Sequence, residues 1–309
     1  MSQLFSVDSL GGFLNNDELS LKMRFRSQTT QRFRQFTEME PAAGAGKGDK
    51  VFFNKISNIS TSGGTLIETN TIPKSNFTIT QGTLTMTEYG VAIPYTQKVR
   101  TLSEVSVPDS VRKVLENDMG VVLDSAAATE FQASDYVATI VDTATTTFGT
   151  ASSPLTAQGA DMSDKNVRDI IDRMKTLNIP RFDGQNFICI SATNAIRGLY
   201  DFFEAKAQLT TMAPLMVGEI GTYYGCRFVE ETNFLSNVTG TSSTNGEAIF
   251  FGADAVREGI AIPEEIRIDI PSDFGRDQGI AWYALLGFKK VWDFGDDAET
   301  RIIRTGHSV

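Results

Sequence analysis

The sequence predicts an α+β fold in which helices are set between two groups of strands. Residues 51–95 are rich in Thr, Ser, Ile and Phe, a composition that favours strands. Residues 109–131 repeat apolar side chains at helical spacing. Strand-forming runs return between residues 248 and 304. Helices flanked by strands in this order are typical of one mixed domain set into another.

Composition excludes several classes of protein. The 309 residues carry 28 Lys+Arg and 38 Asp+Glu, a net charge of −10, which argues against a protein built to grip phosphates. A hydrophobic fraction of 41% is enough for a large core. One histidine and two cysteines exclude a disulfide scaffold, a Cys/His zinc site and a two-histidine active site. We expect Cys189 and Cys226 to be reduced, and the chain to be cytoplasmic, because no leader or membrane-spanning run is visible.

A basic arm precedes the strands. Five cations without an intervening acid alternate with phenylalanines: Lys22, Arg24, Arg26, Arg32 and Arg34. In an extended segment the cations and the rings would lie on opposite faces. The arm could contact nucleic acid or clamp an acidic neighbour. The alternative is a surface arm whose rings pack on its own domain and whose arginines pair with local carboxylates.

A hinge follows the arm at Gly44, Gly46 and Gly48. Lys47 gives this stretch a faint likeness to a phosphate-binding loop, but Gly48 stands where that motif requires Ser or Thr. Small residues cannot anchor themselves by packing, so a flexible hinge is the favoured interpretation.

Residues 51–95 are predicted to form one long two-stranded ribbon. Phe77–Thr80 and Thr83–Thr87 alternate out of phase, which predicts a bulge or tight turn at Gln81-Gly82. The ribbon has too little apolar surface to build its own core. We therefore expect its rings, Phe52, Phe53, Phe77 and Tyr89, to be covered by another subunit.

Three helices are predicted. The first begins at Pro108-Asp109 and runs to about Phe131, with one apolar stripe made of Val111, Leu115, Met119, Val122 and Ala126. Ser163 is expected to cap the second helix, and the third spans 194–209. Short strands are predicted at 187–190, 248–251, 266–270, 280–288 and 300–304, with a turn and strand over 218–232.

This order of parts resembles the major capsid proteins of tailed bacteriophages, the Hong Kong 97 type fold, and within them the N4-like podovirus coat proteins. The sharpest matches are Lys47-Gly48-Asp49 leading into Val51-Phe52-Phe53, and the segment 221–231. The resemblance implies an N-terminal arm (1–45), an extended hairpin called the E-loop (46–98), a peripheral domain with a spine helix (99–159), an axial domain (160–260) and peripheral C-terminal strands (261–309). It also implies that Gly218 and Gly221 lie on an axial-domain loop around the five-fold and six-fold axes.

The resemblance implies a structural role in a virion, with assembly in the host cytoplasm and without catalysis, cofactor or metal. The chain would form pentamers and hexamers of an icosahedral head, with a separate scaffolding protein, a portal protein, in some heads a decoration protein, and weak non-specific contact with packaged double-stranded DNA. No membrane partner is expected. Some relatives join subunits covalently through an E-loop lysine; here Lys50, Lys55 and Lys74 lie in that region, but solvated lysines are the favoured interpretation.

Other function classes stay open from the sequence. An encapsulin-like cellular nanocompartment shell would share the fold. A carboxylate-dependent hydrolase could use Glu230-Glu231, or Asp296-Asp297 with Glu299. Adjacent acids on a strand point to opposite faces, however, and the sole histidine, His307, stands near a terminus. A tail or fibre protein is disfavoured by the long helix and the absence of repeats.

Overall fold

A computed structural model describes residues 32–41, 46, 48–56, 63–69, 71–103, 106–150, 159–200, 221–235, 246–270, 273–297 and 299–305. The strands are β1 Glu38–Met39, β2 Lys50–Ile56, β3 Ile79–Thr85, β4 Thr87–Thr96, β5 Tyr136–Asp142, β6 Thr145–Thr150, β7 Phe187–Ala192, β8 Thr222–Tyr223, β9 Cys226–Glu231, β10 Ala248–Phe251, β11 Val256–Ile268, β12 Asp277–Lys290 and β13 Ile302–Thr305. The helices are α1 Gln97–Leu102, α2 Val107–Gln132, α3 Asp164–Thr176 and α4 Phe294–Asp297.

The strands form two large sheets and one hairpin. A four-stranded sheet has the order β1-β11-β12-β4, and a seven-stranded sheet has the order β6-β5-β13-β10-β7-β9-β8. Within the part of the chain that the structure describes, strands β2 and β3 pair only with each other. Strands β5, β6 and β13 share the seven-stranded sheet with the strands between 187 and 251, and the domain boundaries expected from the sequence stay predictions.

The two-stranded ribbon is shorter than predicted. Strand β4 pairs with β12 over its whole length, from Thr96↔Asp277 to Thr87↔Leu286, so it belongs to the four-stranded sheet. Its alternate side chains, including Tyr89 and Ile93, pack against the core. The expectation of one ribbon over 51–95 is therefore wrong for residues 87–95, and the separate hairpin consists of β2 and β3.

Helix α2 confirms the predicted spine helix, and all five residues of its predicted stripe contact the core. Proline stands in its first turn, and its 26 residues make it about 39 Å long. Leu115 is fully buried as predicted, whereas Val111 and Met119 are only partly buried. The deepest side chains near the C-terminal end include Leu123 and Phe131, because the core there contains residues of both sheets. The predicted stripe therefore lies on the core, and further buried side chains such as Leu123 and Phe131 widen the covered face of the helix.

Helix α3 begins at the predicted residue. Ser163 Oγ accepts a hydrogen bond from the Asn166 backbone, and the Asn166 side chain accepts one from the Ser163 backbone, which completes a capping box. Residues 197–200 are helical as predicted, residues 194–196 form a turn instead, and residues 201–209 lie outside the described residues. No helix in the described ranges has the length and apolar character needed to span a bilayer.

Candidate functional site

The β2–β3 hairpin has an inner face that packs on its own subunit. Val51, Leu84 and Met86 are buried and form a small apolar cluster with Ala261 and Leu285 of the four-stranded sheet. This cluster attaches the base of the hairpin to the body of the subunit.

The outer face of the hairpin carries exposed apolar side chains. Ile56 and Ile79 lie directly opposite each other in the ladder and are 63% and 56% exposed. Phe52 and Phe77 are 56% and 58% exposed. Further large apolar side chains stand exposed between the strands: Leu66, Ile67 and Ile72. Exposed large apolar side chains concentrated in one part of a soluble protein indicate an interaction site.

The predicted bulge at Gln81-Gly82 is absent. Strand β3 runs through these residues in unbroken register with β2, and Gly82 lies opposite Phe53. A Cβ atom at Gly82 would lie 2.3 Å from the Phe53 ring, so the ring occupies the space that a side chain would need. The apolar positions change phase because Leu84, at the base of the hairpin, points inward, whereas Ile79 points outward. At that level the polar Thr80 takes the inward position.

A polar contact holds the hairpin beyond its base. Lys55 forms an ion pair with Asp297 of α4, and Thr80 Oγ1 donates a hydrogen bond of 2.9 Å to the same carboxylate. The Lys55 and Asp297 side chains are only 10% and 1% exposed. Burial raises the pKa of Asp297, but hydrogen bonds from Lys55, the Asp293 backbone and Thr80 lower it more, so this pKa lies below its ordinary value. Lys55 is therefore not the solvated lysine that the sequence favoured.

Tyr89 lies outside the hairpin, beside a groove. The groove measures about 660 Å³ and runs between β4 and α2, with Thr85, Val122 and Phe288 among its lining residues. Burial raises the pKa of the Tyr89 hydroxyl, and the nearby Glu130 charge raises it further. The predicted partner contact at this ring stays a prediction.

The described part of the basic arm packs on its own subunit. Phe33 and Phe36 are buried in the main core, where Phe33 lies 5.7 Å from the Phe131 ring. Arg34 forms ion pairs of 2.9 Å with Glu258 and 2.8 Å with Glu264. For these residues, the alternative of local packing and local carboxylate partners describes the arm. Three of its five predicted cations, Lys22, Arg24 and Arg26, lie outside the described residues.

A buried carboxylate that the sequence analysis missed fixes the arm. Asp124 on α2 is 1% exposed and accepts hydrogen bonds from the backbone N–H groups of Arg32, Phe33 and Arg34 at 3.0, 2.9 and 2.9 Å. One sequence signal could have revealed this buried carboxylate: an aspartate lies beside Leu123 and Ala127 on an otherwise apolar helix face.

The predicted glycines that can be described have left-handed backbones. The φ angles of Gly46 and Gly48 are +79° and +88°, and that of Gly221 is +67°, a region that favours glycine. Gly44 and Gly218 lie outside the described residues. The hinge and the axial-loop roles of these five residues stay predictions.

Most of the acids proposed for hydrolysis have structural partners. Glu231 is buried and accepts from the backbone N–H groups of residues 233–235, while Glu230 accepts from Thr193 at 2.8 Å. Glu299 pairs with Arg301 at 2.8 Å. Within the described residues, no group of three Asp, Glu, His or Cys side chains could hold a metal ion.

Comparison with known proteins gives structural neighbours only. No protein-family model and no curated protein matches the chain. A chain from Mycobacterium phage Che8 matches with a TM-score of 0.68 and 14% identity, over 94% of this chain and 96% of that one. The capsid of cyanophage P-SCSP1u matches with a TM-score of 0.70 and 9% identity, over 96% and 94%. The acid-stable capsid of Helicobacter pylori bacteriophage KHP30 matches with a TM-score of 0.72 and 12% identity, over 100% and 99%.

The chain has the fold of phage capsid proteins. The predicted α+β fold of Hong Kong 97 type is confirmed over nearly the whole length, whereas the narrower likeness to the N4-like branch stays a prediction. At identities of 9–14% the match shows the fold, and the use to which the chain puts it must be argued from its own surfaces.

Proposed function

We propose that this chain is a major capsid protein, which assembles into the pentamers and hexamers of an icosahedral phage head around double-stranded DNA. The observation that carries the proposal is the set of exposed apolar side chains on the outer face of the hairpin, on a chain with the capsid fold. The hairpin packs on its own subunit along its inner face, and its outer face leaves Phe52, Ile56 and Ile79 uncovered. A second copy of the chain would complete it.

A modest contact between two copies is sufficient for assembly, because a shell repeats it in every copy. Full burial of one large apolar side chain contributes roughly 1.5–3 kcal/mol. A heterologous contact, in which the hairpin of one copy lies on a different surface of the next, closes into rings. Each copy in a closed shell then makes several such contacts at once, so individually modest contacts produce a stable particle.

The finer assignments belong to the same proposal. The hairpin would be the E-loop, the four-stranded sheet with α2 the core of the peripheral domain, and the strands near Gly221 part of the axial domain. We propose a separate scaffolding protein and a portal protein as partners, and an N4-like relationship on the strength of segment 221–231. The encapsulin-like alternative differs in cargo, so particles purified from an infection that contain genome-length DNA would separate the two.

The test compares two sets of substitutions on one hairpin face. The first variant carries Phe52→Ser, Ile56→Ser and Ile79→Ser, and the control carries Asn54→Ser and Gln81→Ser on the same face. Each is produced with a scaffolding protein and followed by sedimentation velocity and negative-stain microscopy. We expect rings and shells from wild type and control, and folded soluble subunits from the apolar-face variant. If the apolar-face variant forms shells, the outer face of the hairpin is not the contact that drives assembly. If the wild type stays monomeric at every concentration, the proposed function is refuted.

A further inference from the structure

We propose that Lys55, Thr80 and Asp297 form a latch, which holds the hairpin in one fixed direction on its own subunit before a neighbour binds. The latch is a conformational device within the site proposed above. Its effect on assembly rests on the proposed function, whereas its effect on the hairpin of a single subunit does not.

Two separate attachments fix the direction of the hairpin. The first is the apolar cluster at its base, where Val51 and Leu84 pack on Leu285. The second is the latch, four residues farther along β2 at Lys55 and therefore about 13 Å away at strand spacing. One attachment at the base would let the hairpin pivot there, and the second removes that freedom.

Each strand of the hairpin contributes one side chain to the latch. Lys55 and Thr80 are directly paired in the β2–β3 ladder, and their side chains contact the two different oxygens of the Asp297 carboxylate. A single side chain therefore holds both strands. The contact joins residues that are 242 and 217 positions apart in the chain, so it fastens the hairpin to a distant element and not to its own turn.

Asp297 is itself firmly placed. The Asp293 backbone N–H donates to Asp297 Oδ2 at 3.1 Å, and the Asp297 backbone N–H donates to the Asp293 carbonyl at 2.8 Å. Phe294 of the same short helix packs against Tyr136 of β5, with the rings tilted and 4.6 Å between their centroids. Lys290 Nζ pairs with the Asp293 carboxylate at 2.9 Å. The carboxylate of the latch thus stands on a part of the subunit that is tied to the core.

The latch leaves the outer face free. Lys55 and Thr80 point to the inner side of the hairpin, whereas Ile56 and Ile79, the next residues along each strand, point outward and are exposed. Holding the inner side fixes where the outer apolar side chains stand. A neighbour then binds an ordered surface and avoids the entropic cost of ordering a swinging hairpin.

Hydrogen–deuterium exchange tests the latch on full-length subunits kept below the concentration of assembly. The variants are Asp297→Asn and Lys55→Met, each of which removes one charge and keeps similar bulk, and the milder Thr80→Val. The matched control is Asp169→Asn, which removes the acid of the exposed Lys165–Asp169 pair on α3. Peptides covering β2 and β3 report the hairpin, and a peptide covering α3 reports the body.

We expect Asp297→Asn and Lys55→Met to speed exchange in β2 and β3 at least tenfold and Thr80→Val about threefold, with wild-type rates in α3. The double variant Lys55→Met/Asp297→Asn should exchange no faster than Asp297→Asn alone, because it leaves no unpaired charge. Wild-type hairpin rates in both charge variants would overturn the proposal, and so would an equal acceleration of every peptide, which would show general destabilisation.

Light scattering then measures the assembly rate of Lys55→Met beside wild type and Asp169→Asn. We expect slower assembly of Lys55→Met alone. Equal rates in all three would refute the role of the latch in assembly. If wild type forms no shells, the proposed function fails, while the exchange experiment still decides whether the hairpin is latched.

Discussion

Asp124→Asn tests whether one buried carboxylate fixes the basic arm to the spine helix. The substitution keeps the size of the side chain but replaces one carboxylate oxygen with an NH₂ group. Oδ1 of Asp124 accepts from Phe33 and Arg34, and Oδ2 accepts from Arg32. In the variant, the remaining oxygen can still accept two bonds without the charge, and the NH₂ group faces an N–H that it cannot bind.

The expected loss of stability follows from these contacts. Hydrogen bonds to a charged group contribute about 1.5–3 kcal/mol each, and a buried donor left unpaired costs about 1–3 kcal/mol. With one bond lost and two weakened, the free energy of unfolding should fall by about 2–3 kcal/mol. Asp169→Asn, in an exposed pair on α3, should change it by less than about 1 kcal/mol.

Urea unfolding followed by tryptophan fluorescence measures this difference, because Trp282 is buried against α2 and reports loss of the core. Limited trypsin digestion under native conditions gives a second reading, since a released arm should be cut after Arg32 and Arg34. If Asp124→Asn lowers the free energy of unfolding by less than about 1 kcal/mol and leaves the arm resistant to trypsin, the carboxylate does not anchor the arm.

Three further predictions concern stability and pH. Arg34→Met should destabilise the subunit. In wild type, the hydrogen bond from Arg34 lowers the Glu264 pKa below its unfolded value of ~4.3. The pair therefore stabilises the fold fully above pH ~4.3, and this contribution is lost as the pH falls through the lower folded pKa. Urea unfolding from pH 6 to 3 should show that loss in wild type and less of it in Arg34→Met. Gly252→Ala should cost about 1–3 kcal/mol by the same assay, because a Cβ atom there would lie 2.1 Å from a backbone oxygen. Phe33→Ala should lower the free energy of unfolding by about 3–5 kcal/mol, because Phe33 is buried. Phe52 is exposed, so Phe52→Ala should leave the stability of the subunit nearly unchanged and impair assembly. A larger loss of stability in Phe52→Ala than in Phe33→Ala would contradict the assigned burial.

The sequence predicted those elements whose signals are local. Proline at the start of α2, the Ser163 cap of α3 and the apolar run of β10 each identify an element from a few neighbouring residues. The predicted bounds of these three elements agree with the observed bounds within a few residues. Even at strand β12, the prediction of 280–288 fell inside the observed Asp277–Lys290.

Partners distant in the chain could not be predicted in the same way. Residues 87–95 have the same alternating composition as the hairpin, and only pairing with β12 assigns them to the four-stranded sheet. Lys55 meets Asp297 across 242 positions, and no local pattern announces that pair. The consequence is practical: deleting 51–95 would remove an integral strand of the four-stranded sheet, so point substitutions on the outer face are the sound way to test the hairpin.

A cryo-electron microscopy map of the assembled particle tests the central claim most directly. We predict a closed icosahedral shell in which Phe52, Ile56 and Ile79 of every copy are covered by an adjacent copy, while Lys55 still contacts Asp297 of its own chain. A particle in which these three side chains remain open to solvent would contradict the account.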